Sequence, residues 1–223
     1  MLGSTKDIHP NLTGFIIMKQ IAAITILLFL GYNSVVMADS VVKEIRKEYK
    51  TIKNSLSSLK HKTIELNDYS ADGGGAKAYF DKKGIIRFIR AEFYGESGKV
   101  FEEYFYKDRA LIFVFREEHH YNVPYYVKEE ITKDGGTPGF DPKKTTIIEN
   151  RYYFHNKKMV RWLDKNKKQV SSGSKEYKEK GKDIIEFSNK LVNKFQLKTS
   201  SSRNWTDYSP TSLRSKPGAW LNA

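Results

Sequence analysis

The chain contains no cysteine, and this absence excludes several kinds of site at once. Disulfides and thiolate-ligated metal centres are excluded, and so is the lipid attachment of bacterial lipoproteins, which requires a cysteine after the leader. Nucleophilic catalysis by a Cys-His pair is excluded for the same reason. The sequence also lacks a Gly-x-Ser-x-Gly elbow and shows no Ser-His-Asp arrangement. It therefore offers no motif for a catalytic nucleophile.

Long apolar runs are also scarce, and the one that stands out is predicted to be an export signal. Met18-Lys19 opens a short apolar run, Ile21 to Leu30, which is broken by Gly31. Val36-Met37-Ala38 then forms a small-residue cleavage pattern before Asp39. This arrangement is typical of a secretory signal peptide. We therefore expect an exported protein, periplasmic or extracellular after cleavage near Ala38.

An uncleaved membrane anchor is the alternative interpretation, because Ile21 to Ala38 is about long enough to span a bilayer. Cleavage is favoured, since Asn33 and Ser34 interrupt the segment and no positively charged stop-transfer cluster follows at once. Membrane contact is expected only if the segment stays uncleaved. Residues 1–17 are interpreted as an upstream extension, because Met18-Lys19-Gln20 is a more usual start for a signal peptide.

The sequence divides into three predicted segments. Residues 1–38 form the N-terminal extension plus signal peptide, residues 39–198 a single α+β domain, and residues 199–223 a flexible C-terminal tail. The central segment is long enough for one domain with a substantial core and too short for two ordinary ones. The tail is predicted from its serine run, its prolines and its sparse apolar residues.

Two amphipathic helices are predicted at the ends of the domain. In the first, from about residue 40 to 60, apolar residues recur at three- and four-residue steps with charged residues between them. The second has Ile184, Leu191 and Phe195 on one stripe. Ser174 is its predicted N-cap, with Glu176 in the first turn.

Between the helices, alternating apolar segments separated by turn residues predict about six or seven strands. The connections are short and carry Asp, Asn or Gly, which favours antiparallel hairpins. Residues 120–146 contain several Pro and Gly and are predicted to be a long loop. The predicted fold class is α+β, a curved antiparallel β-meander flanked by an N-terminal and a C-terminal amphipathic helix. The predicted strands are Thr63–Leu66, Ala76–Phe80, Ile85–Tyr94, Lys99–Tyr106, Ala110–His119, Ile147–His155 and Met159–Leu163.

One hairpin sequence, Tyr94-Gly95-Glu96 with Gly98-Lys99, resembles the hairpin units of MORN-like repeats. The resemblance covers short stretches, has no constant period and lacks tandem copies. It reflects chemistry that hairpins share, and no function follows from it.

Both faces of the sheet are predicted to be apolar near its middle. Leu111, Phe113 and Phe115 share one side of their strand, while Ile112 and Val114 take the other. One face would be covered by both helices, and the other closed by curvature, by the long loop or by a partner, or used for a ligand. An aromatic-rich core is the favoured interpretation and a ligand groove the alternative. The predicted ligand-binding residues of that groove are Tyr104, Tyr106, Tyr153 and Trp162.

The charge balance is strongly basic, with a formal net charge of +13. Removal of the leader leaves this excess nearly intact, because its charged residues are Lys6, Asp7 and Lys19. A basic exported protein is attracted to anionic lipid headgroups, wall polymers or nucleic acid. A solvated lysine-rich surface is the favoured explanation. Nucleic-acid binding is disfavoured by export and by the lack of a phosphate loop, zinc finger or RNA-binding signature.

The segment Glu117-Glu118-His119-His120 is the densest group of potential metal ligands. Strand alternation splits it, since Glu117 and His119 share one side. A zinc site needs a third ligand there, for which His155 and Glu149 are the available residues. A polar strand end is favoured, and neither a metal site nor a cofactor is predicted.

The sequence thus favours an exported envelope accessory or binding protein without catalytic activity, which uses an aromatic sheet face for a protein, lipid or glycan partner. The alternative is a cofactor-free hydrolase acting on an envelope polymer. In that case Glu117 or Glu103 would serve as acid and base beside the aromatic groove.

Overall fold

The computed structural model describes residues 39–130 and 136–201, with side chains up to residue 197. The predicted signal segment, its cleavage position and most of the predicted tail lie outside these residues, so they remain predictions.

A single antiparallel sheet of seven strands forms the centre of the domain, and its strands follow one another in sequence order. Helix α1 (residues 39–55) precedes the sheet, and helix α2 (Lys175–Ser201) follows it. This arrangement confirms the predicted α+β meander, and each predicted strand is present. The strands are β1 (Lys60–Glu65), β2 (Gly74–Phe80), β3 (Ile86–Gly95), β4 (Gly98–Lys107), β5 (Ala110–His120), β6 (Thr146–His155) and β7 (Lys158–Leu163).

Two of the hairpins are closed by two-residue turns in the left-handed region. Asp108 and Arg109 join β4 to β5 with φ of 48° and 66°, and Asn156 and Lys157 join β6 to β7 with φ of 48° and 60°. Paired positive φ values are typical of turns whose twist matches that of the flanking strands. These short turns fix the pairing beside each turn, which is Lys107 with Ala110 and His155 with Lys158.

The two helices lie on opposite faces of the sheet, so the prediction that both cover one face is wrong. Helix α1 buries Val42, Ile45 and Ile52 against Phe88 and Phe105 of the sheet. Both sheet faces are apolar, and each therefore needs its own covering layer. We call the side that helix α1 covers the α1 face.

The other side, the α2 face, carries the larger apolar cluster. Helix α2 packs Ile184, Leu191 and Phe195 against strands β1 to β7. The backbone N–H of Tyr177 donates to Ser174 Oγ at 3.1 Å, which confirms Ser174 as the N-cap. The helix continues to Ser201, beyond the predicted end of the domain.

β-Bulges interrupt the strand alternation at three places, one of which lies between Phe105 and Tyr106. An extra residue on one strand exchanges the two faces beyond it. The predicted faces of β5 are therefore wrong at its start, because Leu111 packs in the α2 cluster while Ile112 and Phe113 pack in the α1 cluster.

The connection between β5 and β6 lies beside the β3–β4 turn. The backbone N–H of Tyr121 donates to the Ser97 carbonyl at 2.9 Å. Further along, the Asn122 side chain donates to the Gly139 carbonyl at 2.9 Å and accepts from the Asp141 N–H at 3.0 Å. These bonds tie the described parts of the connection together at one end of the sheet.

Candidate functional site

A cavity of about 320 Å³ lies between the α2 face of the sheet and helix α2. Its sheet side is formed by β3 to β6, and its helix side by one stripe of α2. This volume is at the lower end of the range for small-molecule sites, about 300–1,000 Å³. We call it the α2 cavity.

An aromatic wall surrounds one side of the α2 cavity. The Phe187 ring on α2 lies 5.4 Å from Tyr69, 5.9 Å from Phe93 and 6.3 Å from Tyr104, measured between ring centroids. Tyr104 is buried, whereas Tyr69 is 38% exposed. The wall thus runs from the interior to the surface, and its tilted and edge-on rings offer flat apolar contact to a ligand.

The floor of the α2 cavity contains a charged pair. Glu102 on β4 and Arg116 on β5 are register partners, and Arg116 Nη1 donates to the Glu102 carboxylate. The Tyr104 hydroxyl donates to the other Glu102 oxygen. Arg116 Nε also donates to Glu118 at 2.8 Å. Two carboxylates thus hold the guanidinium, which has five N–H donors in all and so retains some for a ligand oxygen.

The charges of this floor are fixed by their surroundings. Burial raises the pKa of Tyr104 well above its usual value, and the neighbouring Glu102 charge raises it further. Burial alone would lower the pKa of Arg116, but Glu102 and Glu118 together raise it. The phenol therefore stays a neutral donor and the guanidinium stays charged at physiological pH.

The helix side of the α2 cavity contributes both signs of charge. Lys180 and Asp183 lie three residues apart on α2, and both line the cavity. Asp183 is exposed and Lys180 half-buried. Apolar contact comes from the wall, and polar contact from Arg116, Lys180 and Asp183. Such a site suits a ligand with a flat or apolar body and a polar group.

The four aromatics predicted to bind a ligand do not form one surface. Tyr104, Tyr106 and Trp162 lie on the α2 face, whereas Tyr153 lies on the α1 face, 4.9 Å from the Phe113 ring. All four are buried. Each helix covers one face, so the single open aromatic face that the sequence suggested is not assembled.

Of these four residues, Tyr104 lines the α2 cavity, while Tyr106 and Trp162 do not line it and make internal hydrogen bonds. The Tyr106 hydroxyl lies 2.8 Å from Ser188 Oγ on α2. Trp162 Nε1 donates to Asn150 Oδ1 at 2.9 Å. Buried aromatics with polar tips need such partners. These contacts connect Tyr106 to α2 and Trp162 to β6.

The two carboxylates of the hydrolase hypothesis lie on the α1 face, on the opposite side of the sheet from Tyr104. Glu103 accepts hydrogen bonds from Lys53 at 2.9 Å and from Arg90 at 3.3 Å. Glu117 lies 2.5 Å from His119. The sheet thus separates the predicted acid–base pair from Tyr104, Tyr106 and Trp162, while Tyr153 shares the face of the pair.

The potential metal ligands of the α1 face are engaged with other side chains. Glu149 is the register partner of Glu117, so both share a face with His119. Glu149, however, accepts from Arg151 at 2.8 Å, and His155 lies at the far end of β6. In residues 39–130 and 136–201, no group of three or more His, Cys, Asp or Glu side chains is placed to hold a metal ion.

Sequence reasoning missed Glu102 and Arg116 as site residues. The sequence does contain a signal for this pair, because Glu102 and Arg116 have opposite charges and lie on the two strands that the Asp108-Arg109 turn joins. A regular two-residue hairpin would place Glu102 opposite Phe115. The bulge after Phe105 shifts the pairing by one residue, and Glu102 then faces Arg116.

The fold and the cavity define a small α+β protein in which one helix covers each face of a seven-stranded meander. Compared with known proteins, the chain matches no family model, no curated protein and no solved structure. Within the described residues, the helices do not include one long and apolar enough to cross a membrane.

Proposed function

We propose that this protein is an exported envelope binding protein without catalytic activity, and that the α2 cavity is its ligand site. The observation that carries this proposal is the aromatic wall around Phe187 beside the charged floor of Glu102 and Arg116. Export rests on the predicted signal segment before Asp39. The partner is a lipid or glycan group, or a side chain presented by an envelope protein.

The chemistry of the α2 cavity favours binding over turnover. Glu102 is its buried carboxylate, and hydrogen bonds from Arg116 and Tyr104 engage both of its oxygens. A general acid or base must be free to exchange a proton with the substrate. Glu103 and Glu117, the carboxylates of the hydrolase alternative, lie on the other face of the sheet. The cavity is therefore equipped to orient a ligand by contact and charge.

Native mass spectrometry of the protein, extracted gently from the exported fraction of cells that express it, tests this proposal. We expect a mass beginning at Asp39 that carries a retained small-molecule adduct. Val100 lines the α2 cavity, so Val100→Phe should fill part of it and remove the adduct. Ile147→Phe is the matched control, because Ile147 is 53% exposed and does not line this cavity.

A bare wild-type mass, or equal retention by Val100→Phe and wild type, would reject the α2 cavity as the ligand site. Turnover of a wall polymer or lipid by the wild-type protein would instead favour the hydrolase. Glu103→Gln and Glu117→Gln would then be the variants that lose turnover while they keep binding.

A further inference from the structure

A second surface, separate from the α2 cavity, is formed by the hairpin turns at one end of the sheet. In a meander, every second turn lies at the same end, so the β2–β3, β4–β5 and β6–β7 turns are neighbours. Each of these three turns presents two exposed basic side chains. We call this surface the basic end, and its residues are Lys82, Lys83, Lys107, Arg109, Lys157 and Lys158.

Basic side chains outnumber acidic ones at the basic end, where Asp81 and Asp108 are the acidic residues of the same turns. Among the ion pairs of the described residues, none includes one of its six side chains. The opposite end of the sheet is mixed, with Asp72, Glu96 and Glu129 alongside Lys128 and Lys143. The charge of the molecule is therefore polarised along the strand direction, and one end attracts anions.

The spacing of the three turns makes the basic end an extended row. Neighbouring turns at one end are separated by two strand spacings, which is about 10 Å. The row of three turns is thus about 20 Å long. Charges spread over this length fit a surface that carries many anionic groups better than a single small anion.

An apolar groove of about 570 Å³ adjoins the basic end, between the β6–β7 turn and helix α2. Its apolar lining includes Met159, Tyr177 and Ile185. Gly181 of α2 packs closely on Met159, and a Cβ at that position would lie 3.2 Å from the Met159 side chain. The groove also borders Lys158, so apolar surface and positive charge are continuous there.

Two further lysines of α2 extend the positive charge along this groove, whose acidic lining residue, Glu186, pairs with Lys190 at 2.9 Å. Lys178 and Lys182 are exposed, lie four residues apart and line the groove. Residues at this spacing share one side of a helix. Lysines beside an apolar floor are suited to a lipid surface, because their stems lie along apolar groups while the ammonium reaches the headgroup. A phosphate polymer would make no use of the apolar floor.

We infer that the basic end, together with the adjoining groove, binds the anionic headgroups of a membrane surface. The lysines contact the headgroups, and the groove accepts apolar parts of the lipid at the headgroup boundary. This surface is distinct from the α2 cavity, so the protein would hold its ligand while it rests on the membrane. The inference can fail while the cavity proposal stands, and the reverse is also true.

Co-sedimentation of the full-length protein with lipid vesicles tests the inference. We expect binding to vesicles that contain phosphatidylglycerol, little binding to phosphatidylcholine alone, and weakening by salt. The variant Lys83→Gln/Lys107→Gln/Lys158→Gln removes one charge from each turn. Each lysine near an anionic surface contributes about fivefold in affinity, so this variant should bind about one hundredfold more weakly.

The matched control removes three exposed lysines from the opposite end of the sheet, Lys128→Gln/Lys143→Gln/Lys144→Gln. It should bind like the wild type, and so should the charge-conserving Lys83→Arg/Lys107→Arg/Lys158→Arg. Any leader on the chain is common to all of these proteins, so the comparison does not depend on its cleavage. Thermal unfolding midpoints verify that every variant is folded.

Equal losses in the two triple glutamine variants would overturn the inference, because they would indicate a response to net charge alone. So would unchanged vesicle binding of the basic-end variant, or binding of duplex DNA in place of vesicles. Val100→Phe serves as the cross-check: it should lose the cavity adduct yet bind vesicles like the wild type. If Val100→Phe loses both the cavity adduct and vesicle binding, the two surfaces are not separate.

Discussion

Glu102 and Arg116 lie opposite each other on β4 and β5, and the guanidinium donates a hydrogen bond to the carboxylate beneath helix α2. Glu102 is 6% exposed, and its second oxygen accepts a hydrogen bond from the Tyr104 hydroxyl. Removal of Arg116 would leave the buried Glu102 carboxylate without its cation. The pair thus forms the floor of the α2 cavity, and we expect it to contribute to stability.

We expect Arg116→Met to lower the free energy of unfolding by about 3 kcal/mol, because it leaves Glu102 buried without its cation. Urea unfolding followed by circular dichroism measures this loss. The double variant Glu102→Leu/Arg116→Met should recover part of it, since an apolar pair of similar volume needs no compensation. Arg109→Met, at an exposed turn position, is the control and should have little effect. An Arg116→Met protein as stable as the wild type would show that the pair is not needed for folding.

Gly98 lies where β4 and β5 approach closely, so a side chain at this position should lower the stability of the fold strongly. A Cβ at Gly98 would lie 2.1 Å from the His119 carbonyl oxygen, so Gly98→Ala forces the two strands apart. We expect a loss of about 2 kcal/mol or more in urea unfolding. Gly75→Ala is the matched strand control, because its Cβ would meet the Ile64 carbonyl oxygen at an ordinary 3.6 Å. Similar losses in the two variants would contradict this explanation.

Helix α1 is predicted to be an integral layer of the domain. Ile52 is 1% exposed and packs in the cluster around Phe105. Ile52→Ala should therefore cost about 2–4 kcal/mol in the free energy of unfolding. Lys50→Ala, on the exposed side of α1, should change it by less than about 0.5 kcal/mol. If Ile52→Ala unfolds at the wild-type urea concentration, α1 does not cover this face in solution.

Alkaline pH should unfold the domain cooperatively. Burial raises the pKa of Tyr104, Tyr106 and Tyr152 above the ordinary value of 10.0. Above pH 10 the unfolded chain releases these protons while the folded chain retains them. Their contribution to stability is therefore complete below pH 10 and is lost as the pH rises through the folded-state values.

Tyrosinate absorbance and far-ultraviolet circular dichroism, recorded on one alkaline titration, measure this effect. We expect these three buried tyrosines to ionise in one step that coincides with loss of the sheet signal. Ionisation of every tyrosine with the sheet intact would contradict the burial of the three.

The strands of the meander could be predicted because their signals are local. Turn residues such as Asp108-Arg109 and Asn156-Lys157 mark the hairpins, and the two-residue period of the strands identifies their length. The helix stripes were predicted in the same way, and Ser174 is the N-cap that the sequence indicated. Neither feature depends on distant parts of the chain.

The α2 cavity could not be predicted, because its residues meet only after long-range packing. Phe187 reaches Tyr69, Phe93 and Tyr104 because α2 returns over the sheet after the last strand. The choice of face for each helix has no local signal, since both faces of the sheet are apolar. The sequence therefore predicts one surface for the four aromatics, whereas the fold divides them between two faces.

The sequence by itself determined the strand order, the two helices and the absence of thiol chemistry, because hydrophobic period, turn residues and composition act over a few neighbouring residues. Tertiary structure decided which helix covers which face and which charges pair within the sheet. A single bulge after Phe105 places Glu102 opposite Arg116. One inserted residue moves the side chains beyond it to the other face of the sheet. The position of the bulge is selected by the geometry of the folded sheet.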